Sequence, residues 1–333
     1  MIITRGMPFK DKEKDALICF LNQMNLSYDE SIEYSICILN DNYDIIATGS
    51  IDLNVIKCVA VDEKYQGQGL SATIISDLTA YAIDHMRTHL MIYTKPKNED
   101  MFSDMGFYTI LKTKEILFME NRKNGYEWFI KGLRSQPNAV ADGIHGCIIA
   151  NCNPMTKGHA YLIESALQQC DYLHLFVLSD KRSEFTPKQR FEMVKAYVSD
   201  HDRVILHQTS DYMISAATFP TYFMKDQESA KHANCMLDIE LFGKKIAPAL
   251  HITKRFVGTE PYCQVTAAYN KALKEVLPGF SIELIEIQRK MYDDVPISAS
   301  NIRKLLQIKE YEKIKAMVPE VVYAYLQECY MHS

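Results

Sequence analysis

The sequence predicts an α/β protein in two parts, a mixed α+β domain followed by a domain on a parallel sheet, and three observations carry this. In the second half, apolar runs at Gly146 to Ala150, Tyr172 to Leu178, Val204 to Gln208, Lys254 to Val257 and Ile282 to Ile287 alternate with helical patterns. Such alternation implies right-handed βαβ crossovers and a parallel sheet. The first half instead opens with a helix and a hairpin. Between the halves, Arg134 to Gly143 holds Ser, Pro, Asn, Ala and Gly with almost no large apolar residue, the composition of a linker. With 333 residues, and about 150 residues per domain as a prior, the expected division is residues 1–135, a linker at 136–143, and residues 144–333.

Lys10 to Met24 places Ala16, Leu17, Cys19, Phe20 and Leu21 at the spacing of a first helix. Tyr34 to Leu39 and Asp44 to Asp52 read as strands joined by the turn residues Asn40, Asp41 and Asn42. Val55 to Val61 is a third strand. It runs into Gln66, Gly67, Gln68, Gly69, Leu70 and Ser71, then a helix from Ala72 to Met86. A strand, a glycine loop and a helix start make a cradle for an anion, because free backbone N–H groups and the helix dipole point at it. A strand at Leu90 to Thr94, a turn at Met105 to Phe107 and a short helix at Gly125 to Leu133 complete this half.

In the second half, Gly146 to Ala150 suits a central strand covered on both faces. Asn151 to Lys157 forms a polar turn, and Leu162, Ile163, Ala166, Leu167 and Cys170 mark a helix beginning near Gly158. Thr186 and Pro187 start another helix as N-cap and first residue. Thr209 to Lys225, at a strand's carboxyl end, gathers Ser210, Tyr212, Thr218, Tyr222 and Lys225 and is the expected place for a second substrate. Asn301 to Glu328 reads as helical.

Composition narrows the chemistry. The 37 basic residues are scattered among 42 acidic ones, for a net charge of −5, so no basic field for nucleic acid is expected. Nine cysteines show no C-x-x-C and no metal spacing and suit reduced, packed thiols. No run approaches the roughly 18 apolar residues of a membrane span, and the first 15 residues lack an apolar leader core, so a cytoplasmic protein is expected.

Two stretches carry candidate chemistry. At the first, Gly158 lets backbone approach a phosphate, His159 can donate to a phosphate whose charge grows as a bond breaks, and Thr156 adds a hydroxyl. At the second, Ser298 or Ser300 would cap a helix and Arg303 would project from its first turn, its planar fork matching phosphate oxygens. Each string alone also suits an ordinary capped helix. Together they favour a nucleotide site.

Thr156-x-Gly158-His159 with Ile297-Ser298-x-Ser300-x-x-Arg303 resembles the paired signatures of the HxGH-type nucleotidyltransferases, with Thr in place of the first His. Asn151-Cys-Asn153-Pro-x-Thr156-x-Gly158-His159, Phe256-Val-Gly258-Thr259-Glu260-Pro and Ile297-Ser-Ala-Ser300 resemble, more closely, the citrate lyase ligase family. Gln66-x-x-Gly69-x-Ser71 resembles the pyrophosphate loop of the GNAT acyltransferases, with Ser71 where Gly or Ala is usual. These resemblances imply a GNAT-like N-terminal domain and a Rossmann-like nucleotidyltransferase domain. They imply that ATP, with Mg²⁺, activates acetate as acetyl-AMP, and that the acetyl group passes to the CoA-like thiol of the citrate lyase acyl carrier subunit. His159, Thr156 and Arg303 would then be catalytic. Asn151, Asn153, Gly158, Gly258, Thr259, Glu260, Ser298 and Ser300 would bind ATP. Tyr212 and Lys225 would meet acetate or the acceptor, and Gln66, Gly67, Gln68, Gly69, Leu70 and Ser71 the CoA-like arm. The alternative is a bifunctional protein, an independent acetyltransferase joined to a mononucleotide adenylyltransferase.

Overall fold

The computed structural model of the chain describes residues 1–213, 222–223, 227–260, 264–292 and 295–331. They group into two compact units, one of residues 1–127 with 219–237 and one of residues 128–218 with 238–333.

The first unit contains β1 (Ile2–Gly6), α1 (Asp11–Gln23), β2 (Tyr34–Leu39), β3 (Ile45–Asp52), β4 (Val55–Val61), α2 (Leu70–Asp84), β5 (Met91–Thr94), α3 (Glu99–Asp104), β6 (Tyr108–Lys112) and β7 (Leu117–Glu120). Its sheet has the order β1-β2-β3-β4-β5-β7-β6. Only β4 and β5 are parallel neighbours, and they pair only at Val55 with Met91 and Ile56 with Ile92. Beyond Ile56 the two strands part. The register against β3 shifts between Thr48 and Ser50, where Cys58 on β4 adopts φ +55, so β4 carries a bulge just past the fork. Apolar residues of β2 to β5 pack with Leu70, Ile74, Ile75 and Leu78 of α2 and with Phe102 and Phe107.

The chain continues through α4 (Gly125–Arg134) into the second unit's β8 (His145–Ala150), α5 (Lys157–Leu167), β9 (Tyr172–Val177), α6 (Pro187–Val198) and β10 (Val204–Gln208). After α7 (Gln227–Leu241) come α8 (Ala247–Ala249), β11 (Ile252–Gly258), α9 (Gln264–Val276) and β12 (Glu283–Ile287). A two-residue hairpin, β13 (Met291–Tyr292) with β14 (Val295–Pro296), precedes α10 (Ala299–Gln307), α11 (Tyr311–Met317) and α12 (Glu320–Leu326). The sheet is wholly parallel in the order β10-β9-β8-β11-β12. Strand order therefore reverses between β8 and β11, and their carboxyl ends border the crevice where ligands of such sheets bind.

Each face of this sheet has its own core. Ile148, Leu173, Leu175 and Val177 pack with α5, α6 and the C-terminal helices, and Cys147, Phe176, Ile205 and Ile252 pack with Phe242, Leu250 and Leu273. Ala139, inside the expected 136–143 linker, is 1% exposed and belongs to the second core. The rest of that stretch is exposed or half-buried, so Ala139 anchors it at one point. A row of buried imidazoles crosses three strands. His145 Nε2 donates to the Ala141 carbonyl at 2.8 Å, so its Nδ1 must accept from His174 Nε2, and His174 Nδ1 from His207 Nε2, each at 2.9 Å. His207 Nδ1 is left buried without a partner.

Several elements escape the sequence pattern. β1 pairs only with β2 and is mostly exposed, so it shows no apolar alternation. β7, α7 and α9 likewise carry no clear local signal, and α2 begins at Leu70 rather than Ala72. The C-terminal helical stretch is three helices, because Lys309 takes φ +59 after α10 and Pro319 caps α12.

Candidate active site

The turn after β8 delivers its residues to the switch crevice. Thr156, in extended backbone, is the N-cap of α5, and its Oγ1 accepts from Gly158 N at 3.1 Å and His159 N at 3.2 Å. His159 closes the capping box by accepting Thr156 N–H on Nδ1 at 3.0 Å. An N–H donor obliges Nδ1 to be the lone pair, so the neutral ring carries its proton on Nε2. Burial, helped by the positive charge of Arg289, pushes the imidazolium down to about 4. His159 is thus a neutral donor of fixed tautomer at pH 7. Thr156 is 1% exposed, and its hydroxyl lies 3.0 Å from His159 Nδ1, so it braces the ring within the turn.

Ser298, not Ser300, caps α10, accepting from Asn301 N at 3.1 Å. Ser300 lies in the first turn and accepts from Arg303 at 3.2 Å, which places Arg303 one turn into the helix. The two stretches meet. A Cβ on Gly158 would lie 3.3 Å from the Ile297 carbonyl and 3.2 Å from Thr156 Oγ1, so glycine admits the close approach of the α5 start to the segment before α10. Arg303 donates to the Asn153 carbonyl, and its Nε lies 3.5 Å from a carboxylate oxygen of Glu184.

At the end of β11, the Gly258 carbonyl accepts from Asn270 at 3.1 Å, and Thr259 N donates to Ile287 O at 2.9 Å. Glu260 pairs with Arg289, which also donates to the Thr259 carbonyl at 2.7 Å. Arg289 was not singled out in the sequence, yet it lies close enough to depress His159. Arg190 was missed too. It is fully buried and donates to the carbonyls of Asn151 at 2.9 Å, Leu178 at 2.7 Å and Phe185 at 3.0 Å, pinning the carboxyl ends of β8 and β9. Its signal was an arginine three and four residues before Met193 and Val194, on the apolar stripe of α6. Asn151 also bonds Ser183 at 3.1 Å, and Asn153 Oδ1 accepts from Phe185 N at 3.1 Å. Both asparagines brace the turn.

Of the two expected second-substrate residues, only Tyr212 is described. Tyr212 is 5% exposed and packs on Phe129 with ring centroids 4.9 Å apart, an aromatic of the core. Lys225 lies outside the described residues.

In the first unit, Gly69 takes φ +74 as the N-cap of α2, and no side chain caps that helix. Gly67 takes φ +78. Gln66, Gly67, Gly69, Leu70 and Ser71 line a cavity of about 740 Å³ that follows β4 through Val61, Ala60 and Val59; Gln68 does not line it. Lys95 and Lys97 line it with Glu63 and Asp104. The loop is thus joined to the gap between β4 and β5. Among the described residues no helix is long and apolar enough to cross a membrane.

Residues 145–326 match the citrate lyase ligase C-terminal domain family, and residues 9–117 match the acetyltransferase (GNAT) domain family. The chain is 40% identical to the citrate (pro-3S)-lyase ligase of Escherichia coli over 341 residues, covering 100% of this chain and 95% of that protein. It is 40% identical to the ligase of the same name from Haemophilus influenzae over 331 residues, 96% of this chain and 97% of that one. A stretch of 64 residues, 19% of this chain, is 34% identical to phosphopantetheine adenylyltransferase of Staphylococcus carnosus, of which it covers 40%. With two full-length relatives at this identity, and with a GNAT fold preceding the matched C-terminal domain, the chain belongs to the citrate lyase ligase family.

Proposed function

We propose that this protein is an ATP-dependent ligase, acting in the cytoplasm, that activates acetate and acetylates the thiol of a dephospho-CoA-type group on the citrate lyase acyl carrier subunit. The observation that carries this reading is the meeting of the α5 and α10 starts, His159 and Arg303 included, at the switch point of a parallel sheet. An acetate oxygen attacks the α-phosphorus of ATP while the bond to pyrophosphate breaks, giving acetyl-AMP. The carrier thiol, losing its proton, then attacks the acetyl carbonyl, and AMP leaves. Catalysis of the first step rests on position and charge. His159 donates from Nε2 to the departing phosphates, and Arg303 and Arg289 offset their charge. Thr156, the cap Ser298 and Ser300 hold these groups in place. The carboxylates beside the crevice, Glu184 and Glu260, are each paired with an arginine, which suits a Mg²⁺ held mainly through the phosphate oxygens.

In the first unit, the uncapped start of α2 with Gly67 and Gly69 suits the pyrophosphate of the carrier's arm. Measuring acetate-dependent exchange between ATP and labelled pyrophosphate tests the first step. Exchange is expected with acetate and not with a mononucleotide acceptor. Exchange only with a mononucleotide would replace this reading with an adenylyltransferase.

A further inference from the structure

The cavity of the first unit is lined in part by residues from a distant stretch of chain. Tyr222 and Phe223 follow β10 in sequence, yet they group with the first unit, are 6% and 3% exposed, and line the cavity. Tyr222 is held at both ends. Its carbonyl accepts from Ser27 N at 2.7 Å and its hydroxyl donates to the Tyr93 carbonyl at 2.7 Å.

That hydroxyl sits at the fork. The last β4–β5 pair is Ile56 with Ile92, so Tyr93 is the first residue of β5 beyond it, and the bulge residue Cys58 lies beside the same hydroxyl on the β4 side. The phenol therefore spans the gap between the two strands. From Val61, next to the glycine loop, back to Cys58 is three residues, or about 10 Å along a strand. An arm with its pyrophosphate at the loop and its chain along β4 would thus run towards Tyr222 and Phe223, whose rings meet edge to face at 5.1 Å.

We infer that Tyr222 and Phe223 form the closed end of this cavity, setting where a pantetheine-type arm stops and selecting the free thiol over the S-acylated arm. This rests on the reading that the cavity takes the arm. A thiol ends at the sulfur, whereas an acetyl thioester adds a carbonyl and a methyl. Those atoms would have to enter the space the two rings fill, and the Tyr93 carbonyl beyond is already bonded. The cavity would then hold the free arm between turnovers and exclude the arm that has been acetylated.

The test is isothermal titration of the full chain with CoA, acetyl-CoA and butyryl-CoA as soluble stand-ins for the arm. CoA is expected to bind at least tenfold more tightly than acetyl-CoA, and butyryl-CoA more weakly still. Tyr222→Ala should bring the three within about threefold, while Tyr222→Phe, which keeps the ring, should retain the order. If Tyr222→Ala fails to fold, Phe223→Leu serves, with a narrowed ratio expected. Equal binding of CoA and acetyl-CoA by the unaltered protein would overturn the inference, as would an unchanged ratio in the folded Ala or Leu variant. Failure of CoA itself to bind at millimolar concentration would instead remove the arm from the cavity and the inference with it.

Discussion

Thr156→Val separates a residue that touches substrate from one that positions another. Valine fits the extended backbone of the cap, φ −127 and ψ 164, and keeps the shape while removing the hydroxyl. Gly158 N and His159 N then lose their acceptor, and loss of an N-cap costs about 1 kcal/mol. In a unit of this size that lowers Tm by roughly 2–4 °C. His159 keeps its bond from Thr156 N–H and loses the hydroxyl contact at 3.0 Å, a loss of about 1 kcal/mol in orientation and so roughly fivefold in rate. His159→Ala removes the donor itself and should slow acetate-dependent pyrophosphate exchange about a hundredfold or more. If Thr156 acts only through the ring, Thr156→Val has no further effect on rate in the His159→Ala background but still lowers Tm. An equal rate loss in both backgrounds would mean that the hydroxyl meets the nucleotide directly. No rate loss in either would mean that the capping box does not orient His159.

Arg303→Lys keeps charge but loses the fork that reaches the Asn153 carbonyl and Ser300 together, so both ATP affinity and rate should fall about tenfold or more; an unchanged ATP titration would exclude Arg303 from the site. Gly69→Val places a β-branched residue at φ +74, straining the start of α2 by about 1–2 kcal/mol, and should weaken carrier acetylation while acetate adenylation survives; intact acetylation would make the loop structural only. Burial holds His159 and His207 at about 4 and His174 at about 3, below the usual 6.5. Between these values the unfolded chain binds more protons than the folded one, so their contribution to stability is full above about pH 6.5 and falls away towards pH 4. Urea unfolding from pH 7.5 to 5 should show the decline, and replacing His174 with Phe should flatten it; an unchanged slope would mean that the row is not neutral when folded.

Local pattern alone carried much of this protein. The strand runs of both halves, the T-x-G-H turn and the Ser298 to Arg303 helix start are written in period, turn chemistry and caps, which act over a few residues. Those signals place a candidate phosphate-binding residue at the start of a helix. They cannot say which starts face each other. Only the tertiary structure brought Gly158 against the Ile297 carbonyl and Arg303 to Asn153, because that apposition depends on the strand order β9-β8-β11, which no local period encodes. It also showed that the hydroxyl of Thr156 accepts from Gly158 N and His159 N and so caps α5. Arg289 and the histidine row were illegible for the same reason, and so were the partners of Arg190, whose place on the apolar stripe of α6 was its one local signal. Tyr222 is the extreme case. Its chain neighbours lie with the second half of the sequence, while its hydrogen bonds at Ser27 and Tyr93 join it to the first unit, where packing rather than sequence order decides membership.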